Sequence, residues 1–171
     1  VMDRMAGPRP PKQNTVANEL TVLKRLLRVA QRWGLIGEIP PIEGATKQPT
    51  DYDFLTTPET SRFLAAAEPR WRTLLLLMVR TGLRLGEVRG LRWTDVELEA
   101  PARLRVMRAH TKTGLGPTKS GKPRVVDISS DLRDALRVLK QDATCDLFFH
   151  QDGYVLSERV VYRLCKRTAK R

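Results

Sequence analysis

The sequence has few of the features that mark several large classes of protein. Its 171 residues include only two cysteines, Cys145 and Cys165, which are too few for a disulfide framework and match no metal-ligand spacing. The longest apolar run, residues 74–79, has six residues, whereas a membrane-spanning helix needs about 18. The first residues carry proline and charge without an apolar stretch, unlike a signal peptide. These absences exclude the membrane and secreted classes and predict a reduced, cytoplasmic protein.

Acidic residues are also scarce, because 31 lysines and arginines face 19 aspartates and glutamates, which gives a net charge of +12. An excess of this size favours a polyanionic partner, most often a nucleic acid. One segment, residues 101–124, has no acidic residue and seven basic ones, namely Arg103, Arg105, Arg108, Lys112, Lys119, Lys122 and Arg124. Such a segment repels itself unless an anion lies against it. It therefore favours a contact with a phosphate backbone, and a solvated surface loop is the alternative.

The first part of the chain predicts one amphipathic helix followed by a linker. Apolar residues recur at helical spacing over residues 15–33, and Gly34 follows as a stop signal. Residues 39–49 contain prolines and glycine and show no period, which is typical of a linker. Because a single helix cannot bury its own apolar face, we expect residues 1–48 to be the end of a larger helical unit plus this linker, or an arm docked on the rest.

Residues 49–171 predict a second, mixed domain that begins near Asp51. The patterns indicate helices over 58–67, with Thr57 as the N-cap, over 71–80 and over 85–91. They indicate strands over 104–109 and 124–128 joined by a Gly/Pro/Lys-rich connection through 111–122. A helix from a Ser130 cap to about 140, a short strand over 147–150 and a last helix capped by Ser157 follow. The order of helices, β-hairpin and helices predicts an α+β fold that is mainly helical with a small antiparallel β-sheet or hairpin.

The most informative stretch is residues 80–95. A buried helix is expected to end at Gly82 and a new helix to start directly after Arg84. This arrangement places a guanidinium beside unpaired backbone N–H groups and the positive end of a helix dipole, where a phosphate binds well. Glu87 lies close enough to orient that guanidinium. The alternative is an ordinary arginine at a helix start with a local ion pair.

Several segments together resemble the tyrosine recombinases, the phage integrase family. Residues 80–95 are similar to the family's first arginine box, and residues 118–126 resemble the β-hairpin that carries its catalytic lysine. Residues 14–36 resemble the last helix of the family's N-terminal core-binding domain, and residues 55–59 resemble the start of its catalytic domain. Residues 148–157 also fit, so the resemblance covers nearly the whole chain.

The resemblance implies site-specific DNA recombination or integration, by cleavage and rejoining of a phosphodiester through a 3′-phosphotyrosine intermediate, with no metal or cofactor. Arg84 matches the first catalytic arginine, Glu87 the acid beside it, and Lys119 the lysine that protonates the departing 5′-oxygen, with Lys122 as the fallback. A forked, permanently charged guanidinium suits the charge of a phosphorane, and a lysine can protonate the leaving alkoxide.

The family also implies the partners. We expect double-stranded DNA, a homo-tetramer on two duplexes in the intact protein, no membrane contact and a nucleoid-associated location. The expected DNA-contacting residues are basic side chains of both domains, namely Lys24, Arg28, Arg108, Lys112, Lys122 and Arg124.

Parts of the family's catalytic set do not appear in this sequence. Neither His110 nor His150 has an arginine three residues later, so the family's H-x-x-R box is missing. The three tyrosines, Tyr52, Tyr154 and Tyr162, are interpreted as packing residues. We therefore expect a fragment that binds DNA without cleaving it, truncated before the second arginine box and the nucleophile.

Two other functions stay open from the sequence. The first is a non-catalytic DNA-binding protein derived from a recombinase. The second is a basic RNA-binding protein, which needs stacking aromatics; residues 101–147 contain no Phe, Tyr or Trp, which weighs against it.

Overall fold

The computed structural model describes residues 11–49 and 52–171. The chain forms two compact units, Val1–Phe54 and Leu55–Arg171. The described residues leave out residues 1–10, with which the predicted first domain begins. They also leave out Asp51, near which the second domain is expected to begin. The predicted boundary between residues 48 and 49 stays a prediction.

The first unit contains one long helix, α1 (Gln13–Arg32). It ends where the sequence predicts, since Gly34 adopts the left-handed conformation at φ 71°. The side-chain amide of Asn14 donates to the Gln48 carbonyl and its oxygen accepts from the Gln48 N–H, at 3.2 and 2.9 Å, so residues near 48 run beside the start of the helix. Much of the apolar surface of α1 remains exposed, as Val22 and Leu26 show.

The second unit is mixed. Its helices are α2 (Thr57–Ala66), α3 (Pro69–Thr81), α4 (Leu85–Arg89), α5 (Ser130–Gln141) and α6 (Glu158–Thr168), with a 3₁₀ turn at Trp93–Asp95. Its strands are β1 (Val96–Glu97), β2 (Arg103–Val106), β3 (Arg108–Thr111), β4 (Gly114–Pro117), β5 (Arg124–Asp127), β6 (His150–Gln151) and β7 (Tyr154–Val155). The order β1-β2-β5 forms one antiparallel sheet, and β3-β4 and β6-β7 form two hairpins. The predicted α+β class is confirmed.

The strand predictions were partly wrong. The predicted strand 104–109 is interrupted at Met107, because β2 pairs with β5 whereas β3 turns away to pair with β4. The predicted connection over 111–122 contains β4. This strand was not predicted because it contains glycines and a proline, which are uncommon inside strands. The predicted strand 147–150 is only partly right, since Leu147 forms an isolated bridge with Arg92 and the strand itself, β6, begins at His150 and pairs with Tyr154–Val155.

Two helix caps lie one residue earlier than predicted. Thr56, and not Thr57, caps α2, because a capping box needs Glu three residues after the cap and Glu59 satisfies that spacing. The N-cap of α5 is Ser129 and not Ser130. Ser157 caps α6 as predicted, since its hydroxyl accepts from the Val160 N–H at 3.3 Å.

One hydrophobic core joins these elements. It takes leucines from α3 and α5 and the inward residues of β2, among them Leu74, Leu77, Leu104, Val106, Leu132 and Leu136, all fully buried. Trp93 stacks on Phe148 with ring centroids 4.2 Å apart. No helix among the described residues is long and apolar enough to cross a membrane. The core fixes the end of α3, and with it the turn into α4.

Helix α4 and strand β3 approach closely at two glycines. A Cβ added at Gly86 would lie 3.0 Å from the His110 carbonyl oxygen, and one at Gly90 would lie 3.4 Å from the Ala109 Cα. Both contacts are with backbone, which cannot move aside as a flexible side chain can. The two glycines therefore let the β3–β4 hairpin pack directly against residues 84–90, which include helix α4.

Replacing Gly86 by alanine is expected to destabilise the protein by about 1–3 kcal/mol, because the added methyl group displaces β3. In an open helix the same change would be stabilising. Gly116→Ala is the control, since nothing lies within 4 Å of the place that the added methyl group would take on β4. Urea unfolding measures both; a Gly86→Ala protein as stable as the wild type would contradict the close packing of α4 on β3.

Candidate active site

Arg84 lies in a sharp turn between two helices. Helix α3 ends at Gly82, which adopts φ 60°, and Arg84 is the extended N-cap residue of α4. The Arg84 N–H donates to Glu87 Oε2 at 2.9 Å. The sequence predicts unpaired backbone N–H groups beside the Arg84 guanidinium, and for the N–H of Arg84 itself that prediction is wrong. Because α4 has only five residues, we attribute no anion site to its dipole. The side chain of Arg84 is 63% exposed.

Arg84, Glu87 and Arg124 form a cluster of charged side chains, called here the Arg84 cluster. Glu87 is its buried centre, with 1% of its side chain exposed. The Arg124 guanidinium binds it with both terminal nitrogens, Nη1 to Oε1 at 2.8 Å and Nη2 to Oε2 at 2.7 Å. Arg84 Nη1 donates to Oε1 at 3.3 Å. The Arg124 hydrogen bonds lower the pKa of Glu87 to about 2 against the opposing effect of burial, and they raise the pKa of Arg124. Glu87 is therefore ionised throughout the neutral and mildly acidic range.

Lys119 lies in a tight turn between β4 and β5. The buried Thr118 hydroxyl donates to the Lys122 carbonyl at 3.0 Å, and the Gly121 N–H donates to the Thr118 carbonyl at 2.8 Å. Lys119 and Lys122 are exposed in this turn, and Lys112 is exposed at the tip of the β3–β4 hairpin. Among the residues that the structure describes, none of the three ammonium groups has an ion pair. They are available to an external anion.

Two arginines predicted to contact DNA have carboxylate partners within the protein. Arg108 binds the buried Asp95 with both terminal nitrogens, at 3.2 and 3.0 Å, and Arg124 binds Glu87. Sequence reasoning missed both pairs, because their partners lie in distant segments. The roles of Arg108 and Arg124 as DNA contacts stay predictions. Lys24 and Arg28 line a groove of about 190 Å³ in the first unit, and their role as DNA contacts also stays a prediction.

Two further features escaped the sequence analysis. Arg89 is buried, with Nε donating to the Leu156 carbonyl at 2.6 Å and Nη1 paired with Glu158 at 3.0 Å, so it ties α4 to the start of α6. Arg159, Arg163 and Lys166 form an exposed basic stripe on α6. Their spacing along one helix face is the signal that could have revealed this stripe.

Two tyrosines and the two histidines of the second unit do not join the Arg84 cluster. Tyr154 lies on β7, and Tyr162 lies on α6 with the Lys166 ammonium 4.9 Å from its ring centroid. His110 Nδ1 contacts Arg89 Nη2 at 3.2 Å, and His150 Nδ1 accepts from the Gly153 N–H. No hydrogen bond joins any of these side chains to Arg84 or Glu87 within residues 52–171. The described residues also contain no group of side chains that could hold a metal ion.

Comparisons with known proteins agree on one family. The family model described as "Phage integrase family" matches residues 53–171. Tyrosine recombinase XerC of Xanthomonas campestris pv. campestris, strain B100, is 35% identical over 106 residues, which are 60% of this chain and 30% of the relative. XerC of strain 8004 matches equally. The chain therefore spans about a third of the length of these curated relatives.

Solved structures show the same fold at low identity. An integrase of the Tn1549 transposon in complex with a circular intermediate DNA matches with TM-score 0.76 and 18% identity, over 99% of this chain and 62% of that one. A lambda integrase tetramer bound to a Holliday junction matches with TM-score 0.73 and 20% identity, over 93% of this chain and 47% of that one. XerA recombinase matches with TM-score 0.58 and 22% identity, over 77% and 45%.

Proposed function

The chain belongs to the phage integrase family, and we propose that it supplies part of the active site with which the intact protein cleaves and rejoins DNA at specific sites. The observation that carries this proposal is the exposed Arg84 side chain, held by the buried carboxylate of Glu87 beside a segment whose lysines have no ion pair among the described residues. The relatives are named recombinases or integrases, and two of the three solved neighbours described above are bound to DNA.

The proposed chemistry gives each residue one task. A tyrosine hydroxyl loses its proton to water as its oxygen attacks the phosphorus, the bond from phosphorus to the 5′-oxygen breaks, and a 3′-phosphotyrosine forms. Arg84 binds the non-bridging oxygens, whose charge grows in the transition state. Lys119 transfers its Nζ proton to the departing 5′-oxygen. Glu87 holds Arg84 in place, and no metal or cofactor takes part.

The nucleophile is proposed to come from outside this chain. Neither Tyr154 nor Tyr162 is hydrogen-bonded to the Arg84 cluster, and both side chains are exposed. A polypeptide of these 171 residues is therefore expected to bind DNA without cutting it. The same observation favours a second candidate, a non-catalytic recombinase-derived DNA-binding protein; a covalent adduct formed by the complete reading frame would exclude it.

Partners and location follow from the same proposal. We propose double-stranded DNA as the substrate, a homo-tetramer on two duplexes as the working assembly of the intact protein, and a cytoplasmic, nucleoid-associated location. The basic stripe of α6 adds to the charge available for the phosphate backbone. The lack of aromatic residues in 101–147 continues to weigh against RNA as the partner.

The salt dependence of DNA binding tests the role of the lysines. Lys112→Ala and Lys122→Ala are each expected to reduce the slope of log K against log salt concentration by about one, because each removes one phosphate contact. Lys140→Ala, an exposed lysine on α5 outside the 101–124 segment, is the matched control and should leave the slope unchanged. Fluorescence anisotropy of a labelled duplex measures all three. Equal slopes for all variants would contradict the proposed contact.

A further inference from the structure

Two arginines from distant segments share one buried carboxylate. Arg84 and Glu87 belong to the turn into α4, whereas Arg124 is the first residue of β5, 37 positions after Glu87. The carboxylate accepts four hydrogen bonds, two on each oxygen. Oε1 accepts from Arg124 Nη1 and Arg84 Nη1, and Oε2 accepts from Arg124 Nη2 and the Arg84 N–H. Its acceptor positions are therefore filled.

The two guanidiniums are used differently. Arg124 commits both terminal nitrogens to Glu87 at 2.7 and 2.8 Å, which is the geometry of a strong forked pair. Arg84 commits one nitrogen at 3.3 Å, and its Nε and Nη2 have no hydrogen-bond partner within residues 52–171. Arg124 thus fixes the carboxylate, and the carboxylate fixes one edge of Arg84 while the other edge stays open to a phosphate.

We propose that Arg124 is a positioning residue for the active site: it holds Glu87 so that Glu87 holds Arg84, and it ties the Lys119 turn to the Arg84 turn. This inference rests on the proposed function. Positioning replaces direct DNA contact as the main task of Arg124, because both terminal nitrogens of its guanidinium bind the buried carboxylate of Glu87. Lys119 and Arg124 lie at the two ends of one short segment, so the pair also limits how far Lys119 can move from Arg84.

Among the described residues, no other charged group takes over this task. On β3, which packs against α4, Arg108 is paired with Asp95 and His110 with Arg89. The charged groups that face Glu87 are therefore Arg84 and Arg124. Without the two short bonds from Arg124, only the two bonds from Arg84 oppose the effect of burial, so the pKa of Glu87 rises and the neutral carboxyl becomes more favourable. A neutral Glu87 attracts Arg84 far less, so the orientation of Arg84 would become sensitive to acid.

The test uses the 171-residue chain with Arg124→Gln, Arg124→Lys and the control Arg103→Gln. Arg103 pairs with Asp127 across the same two strands and lies on the surface, so its replacement removes the same charge from the same sheet. NMR of the Glu87 carboxyl carbon follows its titration. The pKa of Glu87 should rise from about 2 toward its ordinary value of 4.5 in Arg124→Gln and stay unchanged in Arg103→Gln.

A second readout reports on Arg84 itself. The order parameter of its Nε–H should fall below about 0.6 in Arg124→Gln, the range of flexible groups, and remain at the wild-type value in Arg103→Gln. Arg124→Lys keeps the charge without the fork, so both readouts should lie between the wild type and Arg124→Gln. If Arg124→Gln fails to fold, Arg124→Lys alone decides whether Arg124 positions Arg84. An Arg84 order parameter unchanged in both Arg124 variants would overturn the proposal.

These measurements separate the inference from the proposed function. In the complete reading frame, the acid limb of the rate of adduct formation should move to higher pH in Arg124→Gln together with the Glu87 titration, and not in Arg103→Gln. A rate profile identical to that of Arg103→Gln would leave Arg124 a structural residue and overturn the inference. If the wild type forms no adduct, the proposed function fails, while the NMR readouts still decide whether Arg124 positions Arg84.

Discussion

Replacing Arg84 by alanine is expected to slow covalent adduct formation by the complete reading frame by about 100- to 1,000-fold, the usual cost of losing a group that stabilises developing charge. The guanidinium is held by a buried carboxylate and exposes its remaining donors, so it is prepared to bind an anion. A duplex selected by the wild-type protein from a random pool serves as the substrate. The adduct is counted on a denaturing gel.

Arg105→Ala is the matched control, because Arg105 is an exposed arginine on β2 within the same basic segment. It should reduce DNA affinity slightly and leave the rate at saturating DNA unchanged. Arg84→Ala should show the opposite pattern, with little change in affinity and a large loss of rate. Equal effects of the two variants on the rate would show that Arg84 contributes only general positive charge.

Lys119→Ala is the second large effect, with an expected loss of about 100- to 10,000-fold in the rate of adduct formation, the range for a general acid. The departing alkoxide is strongly basic and needs a proton, whereas a thiolate leaves without one. A duplex with sulfur in place of the bridging 5′-oxygen at the cleaved position should therefore restore the rate of Lys119→Ala to near the wild-type value. The measurement is the rate on the two substrates.

Lys122→Ala distinguishes the two lysines of the turn. Both are exposed and lie three residues apart, so they differ little in accessibility. Lys122→Ala should weaken DNA binding and show no special gain from the sulfur-containing duplex. If Lys122→Ala and not Lys119→Ala is rescued by sulfur, the assignment of the two lysines must be exchanged.

Much of the fold could be read from the sequence because the signals are local. The glycine after α3, the extended Arg84 and the Glu three residues later predict the turn into α4, and the structure has each of them in place. The basic segment likewise predicted exposed lysines, and Lys112, Lys119 and Lys122 are exposed. The roles assigned to these residues stay predictions, since geometry places them without testing them.

The features that escaped prediction depend on pairing across the chain. Arg124 binds Glu87 and Arg108 binds Asp95 because the folded chain brings these segments together, and no spacing rule connects them. The β3–β4 hairpin was missed because the Gly/Pro-rich composition of 111–122 resembles a loop. Its strand β3 is held by close backbone contact with Gly86 and Gly90, which composition does not reveal.

The most direct test of the central claim is the chemical analysis of the product that the complete reading frame forms with the selected duplex in the presence of EDTA. The account predicts a tyrosine linked to a 3′-phosphate and a free 5′-hydroxyl on the other fragment, both visible by mass spectrometry after digestion. The same analysis of Arg84→Ala should show almost no adduct. A 5′-phosphate on the released fragment, or cleavage that requires a metal ion and leaves no protein attached, would contradict the account.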